Sequence, residues 1–228
     1  MTRRVRVLVL DVGGTHVKLL ESGALERSEF VSGPKMTPRA MVASVKRIAR
    51  RWAYDVVSIG YPGVVVHGRI ACDPQNLGKG WAGYDFERAF ERPVKVINDA
   101  AMQALGSYEG GCMLFLGFGT GLGAAMIVDG ALEPMELAHL PYRKGRTYED
   151  YAGHQGLVRM GTKRWRHHAL RIAHMLRDAL QPDYVVIGGG NAKLFHRLPR
   201  WARRGSNEHA FDGGIRLWHS DRHGAAPR

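Results

Sequence analysis

The chain has 228 residues, 45% of them hydrophobic, enough to bury a full core in one large domain or two small lobes. Its 33 Lys and Arg against 21 Asp and Glu give a net charge of +12, which points to a polyanionic partner: nucleic acid, anionic lipid or a phosphate-rich substrate. No apolar stretch reaches the length of a membrane span, so no membrane association is expected.

Met1-Thr-Arg-Arg4 leads directly into an apolar run and lacks the h-region of a signal peptide. Cys72 and Cys112 stand far apart in apolar surroundings with no CxxC spacing. Buried free thiols, and hence a reducing cytoplasm, are expected rather than a disulfide or zinc site. The basic residues concentrate in Arg47–Arg51, Lys163–His168 and His196–Arg204, and each cluster also fits a solvated helix face.

In chain order, the run Val5–Leu10 predicts a strand that ends in Asp11-Val-Gly13-Gly14-Thr15-His-Val-Lys18. Glycines there allow a tight turn whose backbone N–H groups can aim at an anion, and Asp11 adds a carboxylate suited to Mg²⁺ beside phosphate oxygens. Thr15 and Lys18 add a hydroxyl and a cation. By itself the motif also fits an ordinary Gly-Gly hairpin. Val17–Leu20 and Ser28–Ser32 read as short strands. Thr37-Pro38 is an N-cap and first-turn pair, and Met41, Val45, Ile48 and Trp52 recur at helical spacing to about Arg51. Val56–Gly60 is a strand, Val64–Val66 and Arg69–Cys72 form a hairpin, and a loop from Asp73 to Trp81 carries Asn76. A short helix near Tyr84–Phe90 and a strand over Pro93–Ile97 precede Asn98-Asp99-Ala100, which opens a helix to about Tyr108.

Glu109-Gly-Gly111 breaks the composition and marks a hinge, dividing the chain into lobes 1–109 and 110–228. The pattern then restarts. Cys112–Leu116 is a strand, Gly117–Gly123 a glycine turn containing Gly119, Thr120 and Gly121, and Ala124–Val128 a second strand. Asp129-Gly130 turns into Ala131–Pro134, so the two halves form a weak internal repeat. Thr162–Leu180 is a long helix with Trp165, Leu170, Ala173, Leu176 and Leu180 on one face. Tyr184–Ile187 is a strand, and Gly188-Gly189-Gly190 precedes a short helix through Phe195. The basic tail from Trp201 holds one last helix over Ala210–Trp218 and a frayed end.

Three glycine turns, each behind an apolar strand, are expected to converge on one cleft between two lobes, because α/β folds bind ligands beyond the carboxyl ends of their strands. The first two would grip phosphates, and Gly188–Gly190 would flank a nucleoside or further phosphates.

The ordered series Asp11-x-Gly-Gly-Thr-x-x-Lys18, Tyr61-Pro-Gly-Val-Val, Asn98-Asp-Ala, Phe118-Gly-Thr-Gly-Leu-Gly, Glu136-x-x-His139 and Pro182-Asp…Gly188-Gly-Gly resembles the ROK family of sugar kinases. Tyr61–Gly68, Asn76…Trp81 and the helix beginning near Lys163 are most similar to its polyphosphate glucokinases. The resemblance spans about Val5 to Gly190. It implies an α/β, two-lobed, actin-like or hexokinase-like (ribonuclease H-like) ATPase fold with a cleft between the lobes. It also implies phosphoryl transfer from polyphosphate or ATP to a hexose, glucose first. The enzyme would then be a phosphotransferase with an alcohol acceptor, cytoplasmic and homodimeric.

Asp99 matches the family's general base, and a carboxylate after a strand and at a helix start suits that task. A helix cap is the other role open to Asn98 or Asp99. Asn98, Glu136 and His139 match positions that hydrogen-bond the sugar hydroxyls, Glu149 resembles a further sugar-contacting glutamate, and Asn76 joins them. Asp11 would hold Mg²⁺ directly or through water. Gly13, Gly14, Thr15, Lys18, Gly119, Thr120 and Gly121 would bind donor phosphates, with Gly188–Gly190 beside them.

The chain departs from the family between His139 and Glu149, where Leu140–Tyr148 lacks the cysteines of a zinc motif, so zinc is not expected. It departs again at Ala138, where the family has glycine, and in its early C-terminal end, which implies an abbreviated last helix. A non-catalytic sugar-binding or regulatory protein, a kinase for mannose, fructose or an N-acetylhexosamine, and a nucleic-acid binder are the competing readings. The charge suggests the last, but no recognition motif supports it, so DNA binding is not expected.

Overall fold

A computed structural model describes residues 5–206 and 208–219; the N-terminal lead-in and the frayed end expected after it lie outside the described residues. The chain divides into two compact α/β units, Met1–Met102 with Ala210–Arg228, and Gln103–His209. The division expected at residue 109 therefore shifts. Glu109–Gly111 lies inside the second unit, where the Glu109 N–H donates to the Tyr184 hydroxyl at 3.0 Å and the Cys112 N–H to Asp183 at 2.7 Å.

The first unit runs β1 (Val7–Val12), β2 (His16–Glu21), β3 (Ser28–Val31), α1 (Pro38–Ile48), β4 (Val56–Tyr61), β5 (Val65–Val66), β6 (Arg69–Ile70), α2 (Phe86–Phe90) and β7 (Val94–Asn98), which passes into α3 (Asp99–Ser107). Thr37 caps α1 through the Ala40 N–H, and a 3-10 turn over Ala49–Arg51 replaces its expected last turn. The five-stranded sheet has the order β3-β2-β1-β4-β7. Its first three strands pair antiparallel, and β1, β4 and β7 run parallel. The strand β1 reads almost wholly apolar because both its faces are covered: Leu8 and Leu10 pack with Met41 and Val45, Val7 and Val9 with Phe211.

The second unit repeats the plan: β8 (Cys112–Phe118), β9 (Leu122–Val128), β10 (Ala131–Met135), β11 (Pro141–Arg143), β12 (Arg146–Thr147), α4 (Tyr148–Ala152), α5 (His154–Leu180), β13 (Tyr184–Gly188) and β14 (Ala202–Arg204). Its main sheet has the order β10-β9-β8-β13-β14, again three antiparallel strands extended by parallel ones. The weak repeat in sequence is thus a repeat of topology. Helix α5 starts earlier than Thr162 and is interrupted at Gly161, whose φ of 74° is non-helical. Trp165, Ala169, Ile172, Ala173 and Leu176 form its buried face.

The last helix, α6 (His209–Arg216), returns to the first sheet. Ser58 donates to the Gly214 carbonyl at 2.6 Å and accepts from the Trp218 indole at 2.9 Å. Both cysteines are free, but Cys72 is exposed and Cys112 half-buried, against the expectation of buried thiols. Cys72 sits in a loop held by its carbonyl, which accepts from the Tyr61 hydroxyl at 2.8 Å, so nothing draws its thiol inward.

Candidate functional site

In the first unit the parallel register sets Asp11 level with Gly60, and Gly60 level with Ile97. Asn98 and Asp99 are the next two residues. Asp11 and Asp99 therefore stand at the carboxyl ends of β1 and β7 with β4 between them, about 10 Å apart by strand spacing. Asn98 takes the capping role: its Oδ1 accepts from Ala100 and Ala101 at 2.9 and 3.1 Å, and its amide donates to the Gly63 carbonyl at 3.0 Å. Half-buried Asp99 accepts from the Ala100 N–H at 2.8 Å through Oδ1.

Asp11 is paired with Lys18 across β1 and β2, at 3.9 Å between Nζ and Oδ2. The Gly13 N–H donates to the His16 carbonyl at 2.9 Å, so it closes the turn instead of aiming at an anion. Ser32 ties the turn down by donating to the Gly13 carbonyl at 2.6 Å. Gly14 abuts Asn76: a β-carbon on it would lie 3.1 Å from that of Asn76. Asn76 is placed by Asp73, whose carboxylate accepts the N–H groups of Gly80, Trp81 and Ala82 at 3.0, 2.7 and 3.3 Å. Those bonds, led by Trp81, hold the Asp73 carboxyl below the usual range. This organising role was missed in the sequence, although an Asp-Pro at the head of a glycine-bearing loop signals it.

In the second unit the turn Gly119–Gly121 joins β8 to β9, and Gly119 donates to the Gly121 carbonyl at 3.1 Å. The Thr120 carbonyl accepts the His154 N–H at 2.9 Å, which sets the start of α5 against the turn. As at Gly13, the N–H groups of Gly119 and His154 close the local structure rather than pointing outward. Glu149, expected at a sugar, lies here too. Its Oε2 accepts from the Leu122 N–H at 3.2 Å, and a β-carbon on Gly121 would meet that oxygen at 2.1 Å. Register pairs Gly117 with Gly188, so the second and third glycine turns are neighbours. Gly189 has a φ of +80°, and a β-carbon there would lie 2.5 Å from the Phe118 carbonyl oxygen; packing against β8 requires this glycine. Asn191 then donates to the Gly119 carbonyl at 3.2 Å.

Glu136 and His139 are exposed on the segment after β10, while Ala138 between them is 3% exposed and part of the core. The Glu149 N–H donates to the Ala138 carbonyl at 2.9 Å, so the extra methyl is absorbed by packing and links this segment to α4. The intervening hairpin β11–β12 was read only as a stretch without cysteines. Tyr142 and His168 share a hydrogen bond of 3.0 Å, and the Tyr142 ring meets Tyr148 and Tyr151 edge-on at 5.6 and 5.0 Å. Burial raises the Tyr142 pKa and, with His167, Arg143 and Arg171 nearby, lowers that of His168.

Two of the three glycine turns are thus brought together with Glu149 in the second unit, and the first turn is brought together with Asp11, Lys18 and Asn76 in the first. Among the described residues no group of three or more His, Cys, Asp or Glu side chains could hold a metal. Asp11 offers one half-buried carboxylate, an oxygen ligand of the kind that suits Mg²⁺. No helix among the described residues is long and apolar enough to cross a membrane.

The chain is 27% identical to polyphosphate glucokinase of Mycobacterium tuberculosis (strain ATCC 25618 / H37Rv) over 214 residues, covering 84% of this chain and 79% of the relative. It is 31% identical to kanosamine kinase of Amycolatopsis mediterranei (strain S699) over 141 residues, 54% of this chain and 46% of the relative. Among solved structures, inorganic polyphosphate/ATP-glucomannokinase from Arthrobacter sp. strain KM superposes with a TM-score of 0.80 at 25% identity, covering 96% of this chain and 100% of that one. ROK hexokinase from Thermus thermophilus superposes with a TM-score of 0.73 at 19% identity, covering 96% and 100%. The fold of these neighbours is the expected two-lobed α/β fold. The family model described as the ROK family matches residues 7–134, more than half of the 228. The chain belongs to the ROK family.

Proposed function

We propose that the protein is a cytoplasmic, homodimeric hexose kinase that moves a phosphoryl group from inorganic polyphosphate or ATP to glucose, with Asp99 as general base. The observation that carries this reading is the pair Asp11 and Asp99 at the carboxyl ends of two parallel strands of one sheet. Phosphoryl transfer needs one carboxylate to offset donor charge through a metal and another to accept the hydroxyl proton. Because Asn98 satisfies the first N–H groups of α3, Asp99 is not needed as the cap.

Asp11 would hold Mg²⁺, directly or through water, with the donor. A divalent cation held there would supply charge neutralisation for the transferred phosphoryl group. Lys18, Thr15 and Gly14 in the first unit, and Thr120 and Gly121 beside the start of α5 in the second, bind donor phosphates. Glu136 and His139, exposed and held by buried Ala138, hydrogen-bond the hexose, as do Asn98 and Asn76. Glu149 has a double role, since its carboxylate also supports the phosphate turn. Gly190 and its neighbours flank the donor.

The relatives' names support polyphosphate as donor and glucose as acceptor. The test is a matrix of Mg²⁺, polyphosphate or ATP, and glucose, mannose, fructose, N-acetylglucosamine and kanosamine, with sugar phosphate measured. Polyphosphate with glucose should give the highest rate. Sugar binding without turnover on any pair would establish a non-catalytic sugar-binding protein.

A further inference from the structure

Two basic clusters far apart in sequence meet in the second unit. Arg166, His167 and Leu170 of α5, with Phe195, His196 and Arg197 beyond β13, line an open groove of about 330 Å³. Arg166 donates to the Leu194 carbonyl at 3.4 Å, which ties its guanidinium to the backbone at the groove, and Arg204, outside the lining, donates to the carbonyl of the lining residue Phe195. No carboxylate lines it. The contrast is a groove in the first unit, lined by Arg6, Lys46, Arg50 and Arg92, where Asp55 pairs with Arg6 at 3.0 Å and Glu91 with Lys46 at 3.9 Å. That surface neutralises itself; the one in the second unit keeps its positive charge.

Its position also matters. Buried Phe195 packs on Phe118 at 5.5 Å and on Trp165 at 5.2 Å. Phe118 is the residue before Gly119, so one aromatic cluster connects the groove to the phosphate turn. Arginines with a histidine from each side, over an apolar floor and without acids, suit a flexible polyanion more than a planar neutral group.

We propose that this groove is a second anion site, which holds phosphates of a polyphosphate chain remote from the one transferred, and so sets a preference for long donors. The inference rests on the kinase reading above. The experiment compares wild type with the double variant Arg166→Ala/Arg197→Ala, using long-chain polyphosphate, tripolyphosphate and ATP. The kcat/KM for long polyphosphate relative to tripolyphosphate should fall about tenfold, the loss of two charge-assisted contacts, and more at low salt than at high. Arg166→Lys/Arg197→Lys should recover most of it, which separates charge from any local misfolding. An equal loss with ATP, or an unchanged ratio, would overturn the proposal. Binding of fluorescent long-chain polyphosphate, followed by anisotropy without turnover, decides the same point if the kinase reading fails. Length-dependent binding lost in the double variant supports the groove, and binding indifferent to both arginines overturns it. Single-stranded RNA that displaces polyphosphate at equal phosphate concentration would reassign the groove to nucleic acid.

Discussion

The Glu149 carboxylate accepts the Leu122 N–H at 3.2 Å, so a residue expected beside the sugar also supports the Gly119–Gly121 turn. The space between them is full: a methyl on Gly121 would lie 2.1 Å from Glu149 Oε2. Gly121→Ala must displace that carboxylate or the turn. We expect the KM for the phosphoryl donor to rise about tenfold, equivalent to about 1.4 kcal/mol, with a smaller change in the KM for hexose. Steady-state kinetics with each substrate varied in turn checks this, and an unchanged donor KM would contradict it.

His168 makes stability depend on pH. Its folded pKa lies below the ordinary histidine value of 6.5, first because of burial and then because of His167, Arg143 and Arg171. The unfolded chain therefore binds the proton more readily. The contribution is fully present above pH 6.5 and is lost as pH falls through the depressed folded value. His168→Gln keeps an acceptor for Tyr142 and removes the titration. Thermal unfolding from pH 7.5 down to pH 5 should show a smaller fall in Tm for the variant than for wild type; parallel curves would contradict the assignment.

Ser58 is fully buried and bridges the Gly214 carbonyl and the Trp218 indole. Ser58→Ala leaves a buried acceptor and an indole N–H without their partner. The expected loss is about 1–3 kcal/mol, read from urea unfolding. An unchanged midpoint would mean that α6 does not depend on this bridge.

The central strands were legible because each is an apolar run bounded by glycine, proline or a charged residue, as in Val56–Tyr61 and Tyr184–Gly188. The two short strands that precede Glu149 were not. Strands β11 and β12 have three and two residues, too short for periodicity, and Tyr142 is held by His168, 26 residues away. β14, also three residues, is a strand only because it pairs with β13. Gly110 and Gly111 signal a turn, and a turn in the sequence does not by itself distinguish a hinge from a bend within one unit, where the structure has it. Motif order nominated the candidate site residues, but the hydrogen bonds of Asp73 and the position of Glu149 beside Gly121 needed coordinates.

Asp73 organises the loop that sets Asn76 against Gly14. Asp73→Ala removes the acceptor for three backbone N–H groups at the surface. We expect the KM for hexose to rise about tenfold, one order of magnitude being roughly 1.4 kcal/mol, while Tm stays close to wild type. Glucose titration in a coupled assay, paired with thermal unfolding, checks both. A large fall in Tm with an unchanged KM would assign Asp73 a purely structural role.

In the proposed reaction Asp99 accepts the proton of the sugar hydroxyl during transfer. Initial rates of glucose 6-phosphate formation, with Mg²⁺ and saturating polyphosphate, compare wild type with Asp99→Asn. Asparagine preserves the shape and the acceptor for Ala100 but cannot take up the proton. The kcat of the variant should fall by about 10²–10⁴ with little change in glucose binding or in Tm. A variant that retains near wild-type kcat would contradict it.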